Sequence, residues 1–108
     1  MTTTSIFSVI QNDIDGNDVV LYMKGTASAP MCGFSGVVIQ ILSHLKIAFK
    51  DVDVLQDPAL REGIKSFTNW PTIPQLYVKG EFIGGADIVR EMFQSGELKK
   101  LFEEKGIL

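Results

Sequence analysis

Five apolar residues in a row, Val19-Val20-Leu21-Tyr22-Met23, lie between two stretches of helical periodicity. A run this short and this apolar reads as a buried strand. Helices must then cover it on both sides, and the flanks supply them. On the N-terminal side, Thr4 or Ser5 caps a helix reaching about Asp15, with Ile6, Ile10 and Ile14 on one stripe. Asp15-Gly16-Asn17 breaks it. On the C-terminal side, a loop from Lys24 to Met31 carries Gly25 and Pro30. It leads into a helix beginning near Cys32, with Val37, Val38, Ile41, Leu42 and Leu45 at helical spacing.

The alternation continues along the chain. Phe49 to Val54 alternates, with Lys50, Asp51 and Asp53 interspersed, as a second strand does. Asp57-Pro58 pairs a capping side chain with proline at the first helical position, starting a helix that runs to about Thr68. Gln75 to Lys79 is a third strand. Lys79-Gly80-Glu81 turns it into a fourth, Phe82-Ile83, which Gly84-Gly85 ends. Asp87 is expected to cap the next helix, with Ile88, Val89, Met92 and Phe93 facing inward. Gly96 separates that helix from a last one holding Leu98, Leu101 and Phe102. Two strands joined through a helix imply a parallel pair with a right-handed crossover, and two joined by a tight turn imply an antiparallel pair. The expected architecture is α/β: a mixed four-stranded sheet with helices on both faces, one domain spanning residues 1–108.

Composition narrows the function classes. With 45% hydrophobic residues and a net charge of -3, neither disorder nor a nucleic-acid partner is expected. No segment approaches the roughly 20 apolar residues of a membrane span, and Met1 to Phe7 holds no basic residue and no long apolar stretch. No leader peptide is therefore expected. The chain has one cysteine, so it cannot form an internal disulfide; this suits a reducing, cytoplasmic setting.

That cysteine, Cys32, stands in Cys32-Gly33-Phe34-Ser35, where a strand gives way to a helix N-terminus. Backbone N–H groups there favour thiolate over thiol. Ser35 occupies the place of a second cysteine, so the thiol needs a sulfur from another molecule. Three further segments and a cation before the loop converge on it. Lys24, at the end of the first strand, reads either as a solvated lysine or as a cation beside the thiolate. Trp70-Pro71-Thr72-Ile73-Pro74 is either a rigid turn or a cis-proline loop presenting the Ile73 backbone to an extended peptide. Gly84-Gly85-Ala86-Asp87 opens a helix whose amides can hold a carboxylate. Arg61, with Gln56 and Lys65 nearby, is either solvated or a carboxylate clamp. Together these groups suit an anionic, peptide-like thiol compound laid across the sheet edge. Glutathione, a thiol with two terminal carboxylates and amides between them, matches.

In these segments the chain resembles a monothiol glutaredoxin of the Cys-Gly-Phe-Ser class. The resemblance rests on Lys24-Gly25-Thr26, Cys32-Gly33-Phe34-Ser35, Trp70-Pro71-Thr72-Ile73-Pro74-Gln75-Leu76, and Gly84-Gly85 before Asp87-Ile88, in order and spacing over nearly the whole chain. The long loop between Lys24 and Cys32 is also typical of the class. The resemblance implies a thioredoxin-like fold with cis-Pro74. It implies glutathione held by Lys24, Arg61, Ile73, Pro74, Ala86 and Asp87. It implies that Cys32 is both the catalytic thiol and the protein ligand of a [2Fe-2S] cluster bridged between two subunits. The chain is then a homodimer with the cluster and a monomer without it, serving iron–sulfur cluster assembly, storage and transfer. BolA-like proteins and apo iron–sulfur clients are the implied partners. The ligand count agrees, because one subunit supplies one thiolate and such a cluster takes four. The alternative is glutathione-dependent thiol–disulfide exchange, at weak activity. Two departures stand out. Many members have proline where Ala27 stands, which suggests a more mobile loop, and cysteine or serine where Ala86 stands, which leaves the backbone N–H in place. His44, Trp70 and the charged residues Glu97 to Lys105 read as structural or solvated.

Overall fold

Helix α1 (Ile6–Gly16) opens the computed structural model, which describes residues 5–108. The order continues β1 (Val19–Met23), α2 (Gly33–His44), β2 (Lys50–Asp53), a 3-10 turn (Val54–Gln56), α3 (Pro58–Thr68), β3 (Gln75–Val78), β4 (Glu81–Gly84), α4 (Ala86–Ser95) and α5 (Glu97–Glu104). The expected sequence of elements is present. The 3-10 turn is an addition, and it shortens β2 at its C-terminal end.

The caps explain most boundaries. Ser5 Oγ accepts from the Ser8 N–H at 3.2 Å, an interaction worth about 1 kcal/mol at a helix start. Thr4, the other candidate cap, lies outside the described residues. Asp57 accepts from the Ala59 and Leu60 N–H groups while Pro58 takes the first helical position. Asn69, in the left-handed region at φ 56°, ends α3. The start of α4 corrects the sequence reading: Gly85, not Asp87, is the N-cap, because the extended chain leaving β4 enters helix at Ala86. Asp87 lies inside the first turn, exposed, with its Oδ1 3.4 Å from Arg90 Nη2. It still places negative charge where the helix dipole favours it.

The sheet order is β2-β1-β3-β4. β1 runs parallel to β2, from Val20 opposite Lys50 to Met23 opposite Asp53, and antiparallel to β3, from Val19 opposite Val78 to Tyr22 opposite Gln75. β3 and β4 form the antiparallel hairpin. Every residue of β1 and β3 is buried, because helices lie on both faces of the sheet. Val19, Leu21 and Met23 pack with Val38, Leu42, Val89 and Phe102 from α2, α4 and α5. Val20, Tyr22 and Tyr77 pack with Ile10, Ile14, Leu60 and Ile64 from α1 and α3. Where α1 meets α3 there is room only for glycine: a Cβ on Gly63 would lie 2.7 Å from Ile6 Cγ2. Among the described residues no helix is long and apolar enough to cross a membrane.

Candidate functional site

The C-terminal end of β1 and the N-terminal end of α2 meet at Cys32. It is the N-cap of α2, with extended backbone (φ -152°), and its carbonyl accepts from the Gly36 N–H at 3.0 Å. The Ser35 N–H, directed at the sulfur, holds the thiol below its ordinary pKa. Burial opposes this. The Phe34 N–H, the charge of Lys24 and the Ser35 hydroxyl all act in the same direction as the Ser35 amide. The half-buried thiol at this helix start is thus biased toward thiolate.

Lys24 follows β1 and is tied down through its backbone. Its N–H donates to Ser35 Oγ at 3.2 Å, and its carbonyl accepts from the Met31 N–H at 2.8 Å. The loop between them closes on itself, with Gly25 bridged to Pro30 and Thr26 and Ala29 exchanging backbone hydrogen bonds. Two carboxylates of β2 hold it from outside. Asp53 Oδ1 accepts from the Gly25 N–H at 2.9 Å, and Asp51 Oδ2 accepts from the Ala27 N–H at 2.8 Å. Ala27, where a more mobile loop is expected, makes one of these bonds. Alanine keeps an N–H that proline lacks, and the N–H is used.

The segment before β3 carries a cis bond between Ile73 and Pro74. Gln75, fully buried, secures it: Nε2 donates to the carbonyls of Trp70 and Thr72, each at 3.2 Å. Its Oε1 lies 3.1 Å from the Thr68 hydroxyl and accepts from the Tyr77 hydroxyl at 3.4 Å. Among the described residues the backbone N–H and C=O of Ile73 have no backbone partner. Gly85 lies against this segment; a Cβ there would meet the Pro74 carbonyl and Trp70 Nε1, each at 3.3 Å.

These elements enclose one cleft of about 430 Å³. Lys24, Cys32, Arg61, Ile73, Pro74, Ala86 and Asp87, drawn from five separate stretches of sequence, all line it. Phe34, Lys65, Trp70, Thr72 and Gly85 line it too. Gln56 does not; its amide is turned to Asp53 at 3.3 Å. Lys65 is 3.6 Å from Glu62, whereas Lys24 and Arg61 form no ion pair among the described residues. Arg61 Nε is buried without a partner. Two uncommitted cations, a free backbone edge and a helix N-terminus therefore surround one activated thiol. That arrangement can hold an extended anionic peptide with its sulfur against Cys32. His44 is elsewhere, at the end of α2, edge-on to Phe93 at 5.5 Å. The sequence reading passed over Ser35 as a working side chain, along with Gln75, Asp51 and Asp53. Only Gln75 left a trace, as a polar residue heading an otherwise apolar strand.

Fold and cleft together define a thioredoxin-like protein built around one thiol. Comparison with known proteins narrows the class. The chain matches the glutaredoxin family over residues 19–83. It is 54% identical over 97 residues to "Probable monothiol glutaredoxin 2" of Rickettsia conorii, covering 90% of this chain and 91% of that protein. The solution structure of reduced poplar apo GrxS14 superposes with a TM-score of 0.81 at 45% identity, over 91% of this chain and 90% of that one. A monomeric truncated mutant of Trypanosoma brucei 1-C-Grx1 superposes at 0.87 and 42%, over 99% and 96%. The chain belongs to the glutaredoxin family, on its monothiol branch.

Proposed function

We propose that this protein binds glutathione in the cleft and, as a pair of subunits, carries a [2Fe-2S] cluster as cargo for iron–sulfur assembly. One observation carries the reading: an activated thiol opens onto a peptide-sized cleft with unpaired cations and no second thiol beside it. Among the described residues no three His, Cys, Asp or Glu side chains are grouped to hold a metal. One chain offers a single thiolate, and a four-ligand cluster is completed by two Cys32 thiolates and two glutathione thiolates. Soft thiolates suit such a cargo, and small exchangeable ones suit its release.

Each residue then has a role. Lys24 and Arg61 take the two glutathione carboxylates, with the α4 amides of Ala86 and Asp87 sharing one of them. The Ile73 backbone, held beside Pro74, pairs with the peptide amides. Met31 and Phe34, 70% and 62% exposed on either side of Cys32, suit contact with a second subunit, a BolA-like partner or an apo client. A lone free thiol of this kind belongs in a reducing compartment, the cytoplasm.

The lowered thiol pKa favours a second reading, deglutathionylation. The Cys32 thiolate attacks the glutathionyl sulfur of a protein mixed disulfide, and the protein thiolate leaves. A second glutathione thiolate then attacks that sulfur, releasing Cys32 and oxidised glutathione. Anaerobic reconstitution with iron, sulfide and glutathione separates the two. The expected product is a [2Fe-2S] absorption spectrum, lost without glutathione and lost in Cys32→Ser. A normal cluster in Cys32→Ser would refute the ligand assignment. Brisk deglutathionylation without any cluster would make the second reading the correct one.

A further inference from the structure

We infer that Asp51 is a positioning residue for the cleft, acting through the backbone N–H of Ala27 to orient the loop that carries Lys24. The inference rests on the reading of Lys24 as a ligand for a glutathione carboxylate, and goes beyond it.

The loop from Lys24 to Met31 is closed by its own backbone: Met31 N–H to Lys24 C=O at 2.8 Å, and the Thr26–Ala29 pair at 3.3 and 3.1 Å. Such a closed loop keeps its shape but has no fixed tilt against the sheet. Only contacts from outside set the tilt. At the base, the Lys24 and Gly25 N–H groups donate to Ser35 Oγ and Asp53 Oδ1. Towards the tip, the contact is Ala27 N–H to Asp51 Oδ2 at 2.8 Å.

The two carboxylates are not equivalent. Asp53 already has a local task. The oxygen that takes the Gly25 N–H also caps the 3-10 turn through the Leu55 N–H at 2.9 Å, and its other oxygen takes Gln56 Nε2 at 3.3 Å. Asp51 has no such task. Ala27 is its one hydrogen-bond partner among the described residues, and no cation pairs with it. It is a half-buried carboxylate on the edge strand, opposite Leu21 of β1, at a position where an apolar residue would extend the core. A charged acceptor here is explained by the loop it holds. Gly25 supplies the bend: at φ 90°, a Cβ would fall 2.5 Å from the Ala29 carbonyl oxygen. The loop therefore turns sharply over β2 and is fastened at its far side by Asp51. Releasing the tip frees the Thr26–Ala29 side of the loop and leaves the Lys24–Gly25 base held from outside by Ser35 Oγ and Asp53 Oδ1 alone, so Lys24 is less firmly oriented beside the sulfur.

The test uses the full chain. Asp51→Ala removes the acceptor, Asp51→Asn keeps an acceptor oxygen without charge, and Ala27→Pro removes the donor. Three quantities are read: exchange of the Ala27 amide by NMR, affinity for reduced glutathione by calorimetry, and the melting temperature. Asp51→Ala is expected to speed Ala27 exchange about tenfold and weaken glutathione binding roughly three- to tenfold, in keeping with one charge-assisted hydrogen bond. Asp51→Asn keeps a neutral acceptor and should recover about half of each loss on a logarithmic scale, since a charge-assisted hydrogen bond is roughly twice as strong as a neutral one. In the Ala27→Pro background, Asp51→Ala should change affinity by less than about twofold, since the bond is already gone. Unchanged affinity in Asp51→Ala with a deprotected Ala27 amide would overturn the inference. So would a defect in Asp51→Asn as large as in Asp51→Ala. If Asp51→Ala does not fold, Ala27→Pro alone still decides: it removes the same bond and is expected to weaken glutathione binding roughly three- to tenfold, and unchanged affinity there would overturn the inference. Failure of wild type to bind glutathione would instead refute the reading of the cleft, and the exchange data would still decide whether Asp51 holds the loop.

Discussion

At Cys32 the balance of local forces can be followed group by group. Burial works against a charged sulfur, but the half-buried thiol sits at a helix N-terminus, where N–H groups are directed at it. The Ser35 amide is the strongest influence, and the Lys24 charge is secondary. A group whose folded pKa is depressed stabilises the fold above its unfolded value of about 8.5 and loses that contribution as pH falls through the folded value. The thiolate therefore persists to lower pH in the folded chain than in the unfolded one. The expected outcome is an iodoacetamide alkylation profile with its midpoint below that of free cysteine, returning to the ordinary value in denaturant. A midpoint at or above that of free cysteine would contradict the role given to the helix start. Asp53 follows the same logic with a different balance. Burial pushes its carboxyl up, and the Gly25 and Leu55 N–H groups with Gln56 bring it below the ordinary value.

At the scale of elements, the segment from Trp70 to Pro74 has no repetitive structure of its own. Its carbonyls need donors, and Gln75 supplies two from the head of β3. This is why an amide is buried inside an otherwise apolar strand. Gln75→Leu keeps similar volume but strands both carbonyls and the Tyr77 hydroxyl. Unfolding by denaturant should show a loss of roughly 2–3 kcal/mol, the cost of leaving buried polar groups unpaired. Glutathione affinity should fall with it, because Ile73 lies on the segment being held. Stability equal to wild type would mean that the segment is held by packing alone. The helix starts were legible because Ser5, Asp57 and Pro58 act within one turn. The cap of α4 was not, because two glycines before Ala86 leave the chain direction to the sheet and not to a side chain.

At the scale of the molecule, the proposed function makes cluster loading and subunit pairing one event, because a single chain would supply one cluster thiolate. Sedimentation should give the apo protein at the 11.9 kDa of one chain and the brown, glutathione-reconstituted protein at twice that. Removing the cluster with a chelator should return it to one chain. A cluster-loaded monomer would require ligands that the described residues of a single subunit do not group together. The mixed sheet makes this face available. β1 and β3 are central, so the segments that follow β1 and precede β3 emerge side by side, and the α2 and α4 N-termini end beside them. Met31 and Phe34 are left exposed on the rim.

The sequence by itself indicated the order of helices and strands, the β1–β2 and β3–β4 pairings, and the segments proposed to bind at the cleft. Those follow from periodicity, from turn and cap chemistry, and from motifs whose members lie close along the chain. The antiparallel β1–β3 pairing came only with the fold. Tertiary structure alone decided how the cleft is held. Asp51 meets Ala27 across 24 residues and Asp53 meets Gly25 across 28, on an edge strand that looked merely alternating. Lys24 meets Ser35 through its backbone, which no side-chain pattern reveals. Gln75 is explained only by carbonyls turned toward it in the folded chain. The physical reason is common to all of these. Hydrophobic pattern specifies which faces are buried, whereas a hydrogen bond between a carboxylate or amide and a distant backbone group depends on where folding brings that group.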